Sequence, residues 1–347
     1  MKRRVLCFEY ATGGGGWEDA GLLEPDSAFL AEGTLMLQAL AADLARLDQI
    51  EATLLWDARL PSPVFAHPGS SLFRLPIATL SEWRAALRGA AGQFDEVLFV
   101  APECDGVLER LTAELAASDL RLACPHPTLV RLASNKHATA EHLARAGVAV
   151  PRGRFLRSGE RLPSDADYPA VLKPVDGAGS HLIRVLDRPD GLAVCPPHAA
   201  GWRLESLEPG RSASVLVARR SEDREESPTA LPASWQILSD DCGLRYLGGE
   251  TPLPPSLDER ARKLALRAAA TLPPWRGFVG IDLVLGDDPT GAADRVIEVN
   301  PRVTTSYIGV RRVVGGNLLR PLFCETTEDS DWRLAAAAPR VCWTAHS

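Results

Sequence analysis

Across the first 125 residues, short apolar runs alternate with segments whose apolar residues recur every three to four positions, and few architectures accept that order. Arg4–Tyr10 reads as a buried strand, followed by a glycine-rich loop over 11–26. Leu30, Gly33, Leu37, Leu40, Leu44 and Leu47 share one helical face, so the spacing predicts an amphipathic helix over 28–48. A strand over 52–56, a helix over 81–91 with Ser81 as N-cap, a strand over 96–101 and a helix near 105–117 complete the pattern. Strands joined through helices imply a mainly parallel sheet, hence a small α/β, Rossmann-like domain. It is expected to end near Pro125, where Cys-Pro-His-Pro interrupts regular structure.

The rest reads as a larger domain of mixed α+β character over 126–325. Asn135–Ala146 is a predicted helix stopped by Gly147. Strands are predicted near 169–173, 181–186, 201–206, 212–218, 233–239 and 243–248. A helix over 257–272, strands Gly277–Leu285 and Arg295–Val299, and a helix over 317–324 follow. The alanine-rich tail, 326–347, gives no clear signal.

The 347-residue chain carries a net charge of −7, which argues against a general nucleic-acid binder, since that needs a basic face. No apolar run approaches the ~18 residues of a membrane span. The segment Val5–Tyr10 is too short for a signal core. Seven scattered cysteines without CxxC spacing fit a reducing cytoplasm better than a disulfide framework. Only four residues are lysine: Lys2, Lys136, Lys173 and Lys263. A chain that otherwise uses arginine can reserve lysine for places that need a compact ammonium.

Two acidic segments carry the clearest chemistry. Phe278-Val-Gly-Ile-Asp282 sets one carboxylate in an apolar strand. Ile297-Glu298-Val-Asn300-Pro-Arg302 sets a carboxylate and an amide two apart, on one strand face. If the strands are neighbours, three oxygen donors converge, a set suited to Mg2+. The alternative is exposed acids, or acids paired with arginines. Upstream, Val171-Leu-Lys173-Pro ends a strand before Asp176-Gly177-Ala-Gly179-Ser180. Glycines let backbone N–H groups approach phosphate, and lysine adds a point charge; a plain hairpin is the alternative. No GxxxxGK[ST] loop occurs.

In order, Ser134-Asn-Lys136, Val-Leu-Lys173-Pro with its glycine loop, Leu204-Glu205-Ser-Leu207-Glu208-Pro-Gly210, Gly-Ile-Asp282 and Ile-Glu298-Val-Asn300-Pro-Arg302 resemble the ATP-grasp superfamily over roughly 126–324. The resemblance implies an ATP-grasp fold preceded by a small Rossmann-like pre-ATP-grasp domain over 1–125, with a lid at about 170–220. It implies that Lys136 and Lys173 contact the nucleotide phosphates, and that Gly177, Gly179 and Ser180 cover them. Glu205 and the Leu207 backbone would meet adenine. Asp282, Glu298 and Asn300 would hold Mg2+, with Mn2+ as a substitute, and Arg302 would face the transferred phosphoryl group. An acid for ribose after the hinge glycine is missing; Glu208 could stand in. His181 could touch phosphate or lie on the surface.

Three further segments are similar to a narrower group, the tyramine–glutamate ligases of methanofuran-type cofactor synthesis. They are Glu9-Tyr-Ala-Thr12-Gly13-Gly-Gly, Ala101-Pro-Glu103-Cys-Asp-Gly, and Thr304-Thr305-Ser306-Tyr307. The resemblance implies an ATP- and magnesium-dependent ligase joining a small-molecule carboxylate to an amine through an acyl-phosphate, giving a γ-glutamyl amide for a one-carbon carrier. Glu9 or Glu103 could bind an ammonium, and the hydroxyls of 304–306 a carboxylate. In the plainer alternative, Thr12–Gly16 is a turn and Glu103 a helix N-terminal acid. Rival functions are a ligase for another amino acid or peptide, an ATP-binding module without ligase activity, and a small-molecule kinase. No nucleic acid or membrane partner is expected, and a homodimer is left open.

Overall fold

The computed structural model describes residues 2–24, 27–61, 71–180, 182–188, 192, 194–223, 225–324 and 332–345. In the N-terminal part, β1 (Arg3–Glu9) runs into a one-turn helix α1 (Tyr10–Gly13), then α2 (Ala28–Leu44), β2 (Ile50–Asp57) and β3 (Leu72–Ile77). Next come α3 (Leu80–Arg88), α4 (Ala90–Gln93), β4 (Glu96–Val100), α5 (Val107–Ala116) and β5 (Arg121–Leu122). The sheet order is β3-β2-β1-β4-β5, and all four pairings are parallel. Central β1 is therefore buried on both faces from Val5 onward, as its unbroken apolar run requires. The N-cap of α3 is Thr79 rather than Ser81: its hydroxyl accepts from Glu82 N, while the Glu82 side chain reaches back to Ala78 N. That reciprocal pair satisfies two helix-end donors and fixes the start two residues early.

Helices α6 (Pro127–Ala133) and α7 (Lys136–Arg145) lead onward; Asn135 Oδ1 caps α7 by accepting from Ala138 N. Strands β6 (Gly153–Leu156), β7 (Ala170–Pro174), β8 (Arg184–Leu186) and β9 (Trp202–Ser206) form a small antiparallel sheet in the order β6-β9-β7-β8. A larger antiparallel sheet takes β10 (Arg211–Arg219), β11 (Thr229–Ala230), β12 (Ser234–Leu238) and β13 (Tyr246–Thr251). After α8 (Pro255–Ala269) it adds β14 (Gly277–Leu285) and β15 (Arg295–Asn300). Helices α9 (Ser306–Val310) and α10 (Arg320–Phe323) follow, and β16 (Val341–Thr344) closes the edge in the order β15-β14-β10-β12-β13-β16, with β11 on β10. So part of the unassigned tail is a strand, paired with β13 from Val341 opposite Thr251. Its residues 326–331 and 346–347 lie outside the described residues, as does His181. Ala261, Leu264, Ala265 and Ala268 of α8 bury one helix face against this sheet.

Buried ion pairs lock the two halves together. Asp43 on α2 accepts from Tyr307 Oη at 2.6 Å and from Arg311 at 2.6 and 3.0 Å, while its carbonyl takes Asn317 Nδ2. Glu96 on β4 meets Arg276 at 2.7 Å. Fully desolvated pairs of this kind fix orientation, since a misregistered domain would leave a buried charge alone. This docking sets α2 and the β4–α5 turn over the end of β15.

Candidate active site

The two acidic segments are neighbours. Asp282 on β14 stands directly opposite Glu298 on β15, and Gly280 opposite Asn300. Asn300 Nδ2 donates to Asp282 Oδ2 at 3.1 Å. Burial and the charge of Glu298 push the Asp282 carboxyl up to about 6. Glu298 is held by Lys136 Nζ at 2.7 Å, and the same ammonium donates to Gly177 O at 2.6 Å. Among the described residues no group of three His, Cys, Asp or Glu is arranged for a metal; the donor set here is two carboxylates and an amide.

Lys173, at the end of β7, is 2% exposed and lies 2.5 Å from Glu205 Oε1 and 3.2 Å from Ile297 O. Arg203 takes the other Glu205 oxygen at 2.5 Å. Residues 203 and 205 lie opposite 173 and 171 in the ladder, so alternation turns all three charged groups to one face. The expected adenine contacts are altered accordingly. Both Glu205 oxygens are engaged, and the Leu207 N–H already donates to Pro169 O at 2.9 Å. Leu207 and Glu208 nevertheless line the cavity. Glu208 accepts from Ser206 Oγ at 2.6 Å.

The β7–β8 loop closes one side. Gly179 and Ser180 both have positive φ, +64° and +59°, a bend that glycine accommodates without strain and serine does not. Val185 N donates to Cys242 O, so the lid touches the β12–β13 turn. The result is a cavity of about 310 Å³ in which Lys136, Lys173, Gly177, Gly179, Ser180 and Glu298 meet Asp282, Asn300, Arg302 and Thr304–Ser306. Thr304 and Ser306 hydrogen-bond each other at 2.8 Å. Of the four lysines, Lys136 and Lys173 are the buried ones, whereas Lys263 pairs with Glu259 on the surface.

Arg302 projects from the end of β15 to Glu103, with Nε 2.8 Å from Oε1. Burial works against its charge, but Glu103, Glu32 and Glu298 outweigh that and raise its pKa. Glu103 is 2% exposed, and its Oε2 has no partner. Glu103 thus anchors Arg302 and is not among the residues lining the cavity.

Glu9, Thr12 and Gly13, expected near the substrate, are not among the residues lining this cavity. Glu9 is the N-cap of α1: it accepts from Ala11 N and Thr12 N, and from Thr12 Oγ1 at 2.9 Å. The segment folds into one helical turn, Tyr10–Gly13, closed by that cap. Residues missed from sequence also line the cavity: Glu32 of α2, Tyr246 of β13 and Trp343 of β16. Arg203 had a signal, its two-residue spacing from Glu205; the others had none that is local.

A sequence profile of the ATP-grasp domain matches residues 133–306, half of the chain, and a pre-ATP-grasp profile matches residues 50–128. The chain belongs to the ATP-grasp family. The profile spans Lys136 through Ser306, so the cavity's charged residues between those positions belong to the ATP-grasp domain. N5-carboxyaminoimidazole ribonucleotide synthase of Mycobacterium tuberculosis is 30% identical over 210 residues, 57% of this chain and 46% of that protein. The chain thus spans about half the length of that relative. Tyramine–L-glutamate ligase of Methanocaldococcus fervens is 21% identical over 317 residues, covering 88% and 89% of the two chains. The crystal structure of an ATP-grasp superfamily protein from Archaeoglobus fulgidus superposes with a TM-score of 0.68 at 22% identity, over 98% of this chain and 91% of that one. This last likeness establishes the fold shared by both ATP-grasp proteins. Among the described residues no helix is long and apolar enough to cross a membrane.

Proposed function

We propose that this ATP-grasp protein is an ATP-dependent carboxylate–amine ligase working through an acyl-phosphate. The observation that carries the reading is the meeting of Lys136, Lys173, Asp282, Asn300 and Arg302 in one cavity under a glycine loop. A binding module would need the lysines but not Arg302 held at the far side by a buried carboxylate.

The donor set fits a divalent cation. Asp282 and Glu298 lie side by side with Asp282 short of compensating charge, and Asn300 adds an amide oxygen. Asp282, Glu298 and Asn300 would hold Mg2+ or Mn2+, which would screen phosphate charge. The chain's own groups do the rest. Lys136 and Lys173 exchange Glu298 and Glu205 for phosphate oxygens when the nucleotide enters. The Gly177–Ser180 loop covers the phosphates and excludes water that would hydrolyse the intermediate. The donor carboxylate attacks the γ-phosphorus, ADP leaves, and an amine then displaces phosphate from the acyl carbon. Arg302, oriented by Glu103, faces the charge that develops on the oxygens.

For the substrates, the likeness to tyramine–L-glutamate ligase over 88% of the chain supports L-glutamate as donor and an aromatic amine as acceptor, giving a γ-glutamyl amide in one-carbon-carrier synthesis. Incubating the protein with Mg-ATP and L-glutamate, with and without tyramine, tests this by ADP release and product mass. Amine-dependent ADP with a glutamyl amide supports both parts of the reading. ADP release with other amino acids instead would redirect the substrate, and ADP with a stable phosphate ester would make the protein a kinase.

A further inference from the structure

Glu32 lines the same cavity as Arg302 and Asp282, and it makes no hydrogen bond or ion pair among the described residues. It sits on α2 and is half-buried. Three groups bear on it electrostatically: Arg302 and Glu9, which act on its carboxyl, and Tyr246, on whose hydroxyl it acts in turn. Burial pushes its carboxyl up to about 7, with Arg302 opposing and Glu9 adding to the rise.

Beside it the wall is aromatic. Trp343 Nε1 donates to Tyr246 Oη at 2.9 Å, and both rings line the cavity. A second observation points to an occupant. Ser234 Oγ, in a residue 1% exposed that also lines the cavity, has no hydrogen-bond partner among the described residues. A buried hydroxyl left this way is costly unless something bound completes it.

We propose that Glu32 is the residue that receives the acceptor amine: it binds the ammonium, takes one of its protons so that the free amine can attack, and holds the amine's flat apolar body against Tyr246 and Trp343. This deepens the ligase reading and rests on it. The step balances without another reagent. The ammonium gives one proton to Glu32, the freed nitrogen lone pair bonds to the acyl carbon, the carbon–oxygen bond to phosphate breaks, and phosphate leaves with that electron pair and takes the second nitrogen proton. A carboxylate held near neutrality suits this work, because it can be charged to bind the ammonium and still accept a proton. Arg302 lies within its electrostatic reach, so the acceptor end adjoins the site of phosphoryl transfer.

Hydroxylamine separates this step from the first one. It is uncharged at neutral pH and traps an acyl-phosphate as a hydroxamate without needing a base. With Mg-ATP and L-glutamate, the ratio of tyramine amide to hydroxamate formed by Glu32→Gln should fall about 100-fold relative to wild type, the lower end of what a positioned base contributes. Glu32→Asp should recover part of the loss. A ratio in Glu32→Gln equal to wild type overturns the assignment. Equal loss of both products in both variants also overturns it, because Glu32 would then serve the fold or the donor. If wild type forms hydroxamate but no amide with tyramine or any other arylalkylamine, the acceptor class is wrong while acyl-phosphate chemistry stands. If it forms neither, the ligase reading fails and this assignment falls with it.

Discussion

Glu103 offers a quantitative test of how the N-terminal domain reaches the chemistry. Its carboxylate is 2% exposed and 2.8 Å from Arg302 Nε, and the Arg302 side chain is 12% exposed. Glu103→Ala leaves a buried guanidinium without its nearest counter-charge, a change that ordinarily costs about 3–5 kcal/mol. Two features set the expectation at the low end. Glu32 and Glu298 still act on Arg302, and Glu103 Oε2 is already unpartnered, so its burial is not fully compensated in the wild type. The expected loss is therefore about 3 kcal/mol in urea unfolding at neutral pH. Glu103→Gln keeps the shape and one acceptor oxygen, so it should lose less. Turnover should fall more than stability accounts for, because Arg302 loses the contact that orients it. The readout is kcat for glutamate-dependent ADP formation at a temperature where the variant is fully folded. A Glu103→Ala protein less than about 1 kcal/mol destabilised, with wild-type kcat, would refute both the energetic argument and the positioning of Arg302 by Glu103.

Other sites give sharper, narrower outcomes. Glu298→Gln or Asn300→Ala should abolish ADP release at a temperature where the variant is fully folded; wild-type-like turnover would remove them from the cation site. Glu9, buried behind the site, has its carboxyl pushed by burial from 4.5 to about 7. The charged form is therefore disfavoured in the folded state, so this stability is full below about pH 4.5 and lost as pH rises through about 7. Glu9→Gln should flatten that part of the stability–pH curve, and an unchanged slope counts against the burial argument. Gly33→Ala should lower the melting temperature although alanine favours helix by about 1 kcal/mol, because a Cβ there would press into the Glu9 carboxylate. A rise would mean the cap relaxes freely.

Some of the site was legible because its signals are local. The spacing of Glu298 and Asn300 fixed their common face, and the run Phe278–Leu285 was recognisable as a buried strand; pairing Asp282 with Glu298 needed only that the strands be adjacent. The N-terminal parallel sheet followed from alternation, for the same reason. What the pattern does not give is direction. Glu9 belongs to a segment that stands at the carboxyl end of a strand, where ligands often bind, yet its side chain turns back on its own amides. A carboxylate followed three residues later by a threonine could have signalled an N-cap, since the acceptor is then within reach of free helix N–H groups. Leu207 shows the same limit: spacing identifies the hinge, but whether its N–H is free depends on a pairing with Pro169 that no pattern near 207 reveals.

The part of the cavity lined by Glu32, Tyr246 and Trp343 was illegible for a different reason. Glu32, Tyr246 and Trp343 come from a helix of the first domain, a strand of the second and the tail. Each has an ordinary local explanation, and none carries a motif. They meet because Asp43 and Glu96 dock the first domain against α9 and Arg276, and because β16 adds to the free edge of β13. The groups proposed to engage phosphates come from the continuous stretch that matches the ATP-grasp domain. Glu32 and Trp343, by contrast, come from elements that flank it, and these can change without disturbing the nucleotide side. An acceptor specificity built this way can differ between proteins whose nucleotide motifs look alike, which is why measurements with varied amines, rather than further comparison of the shared motifs, decide what this cavity receives.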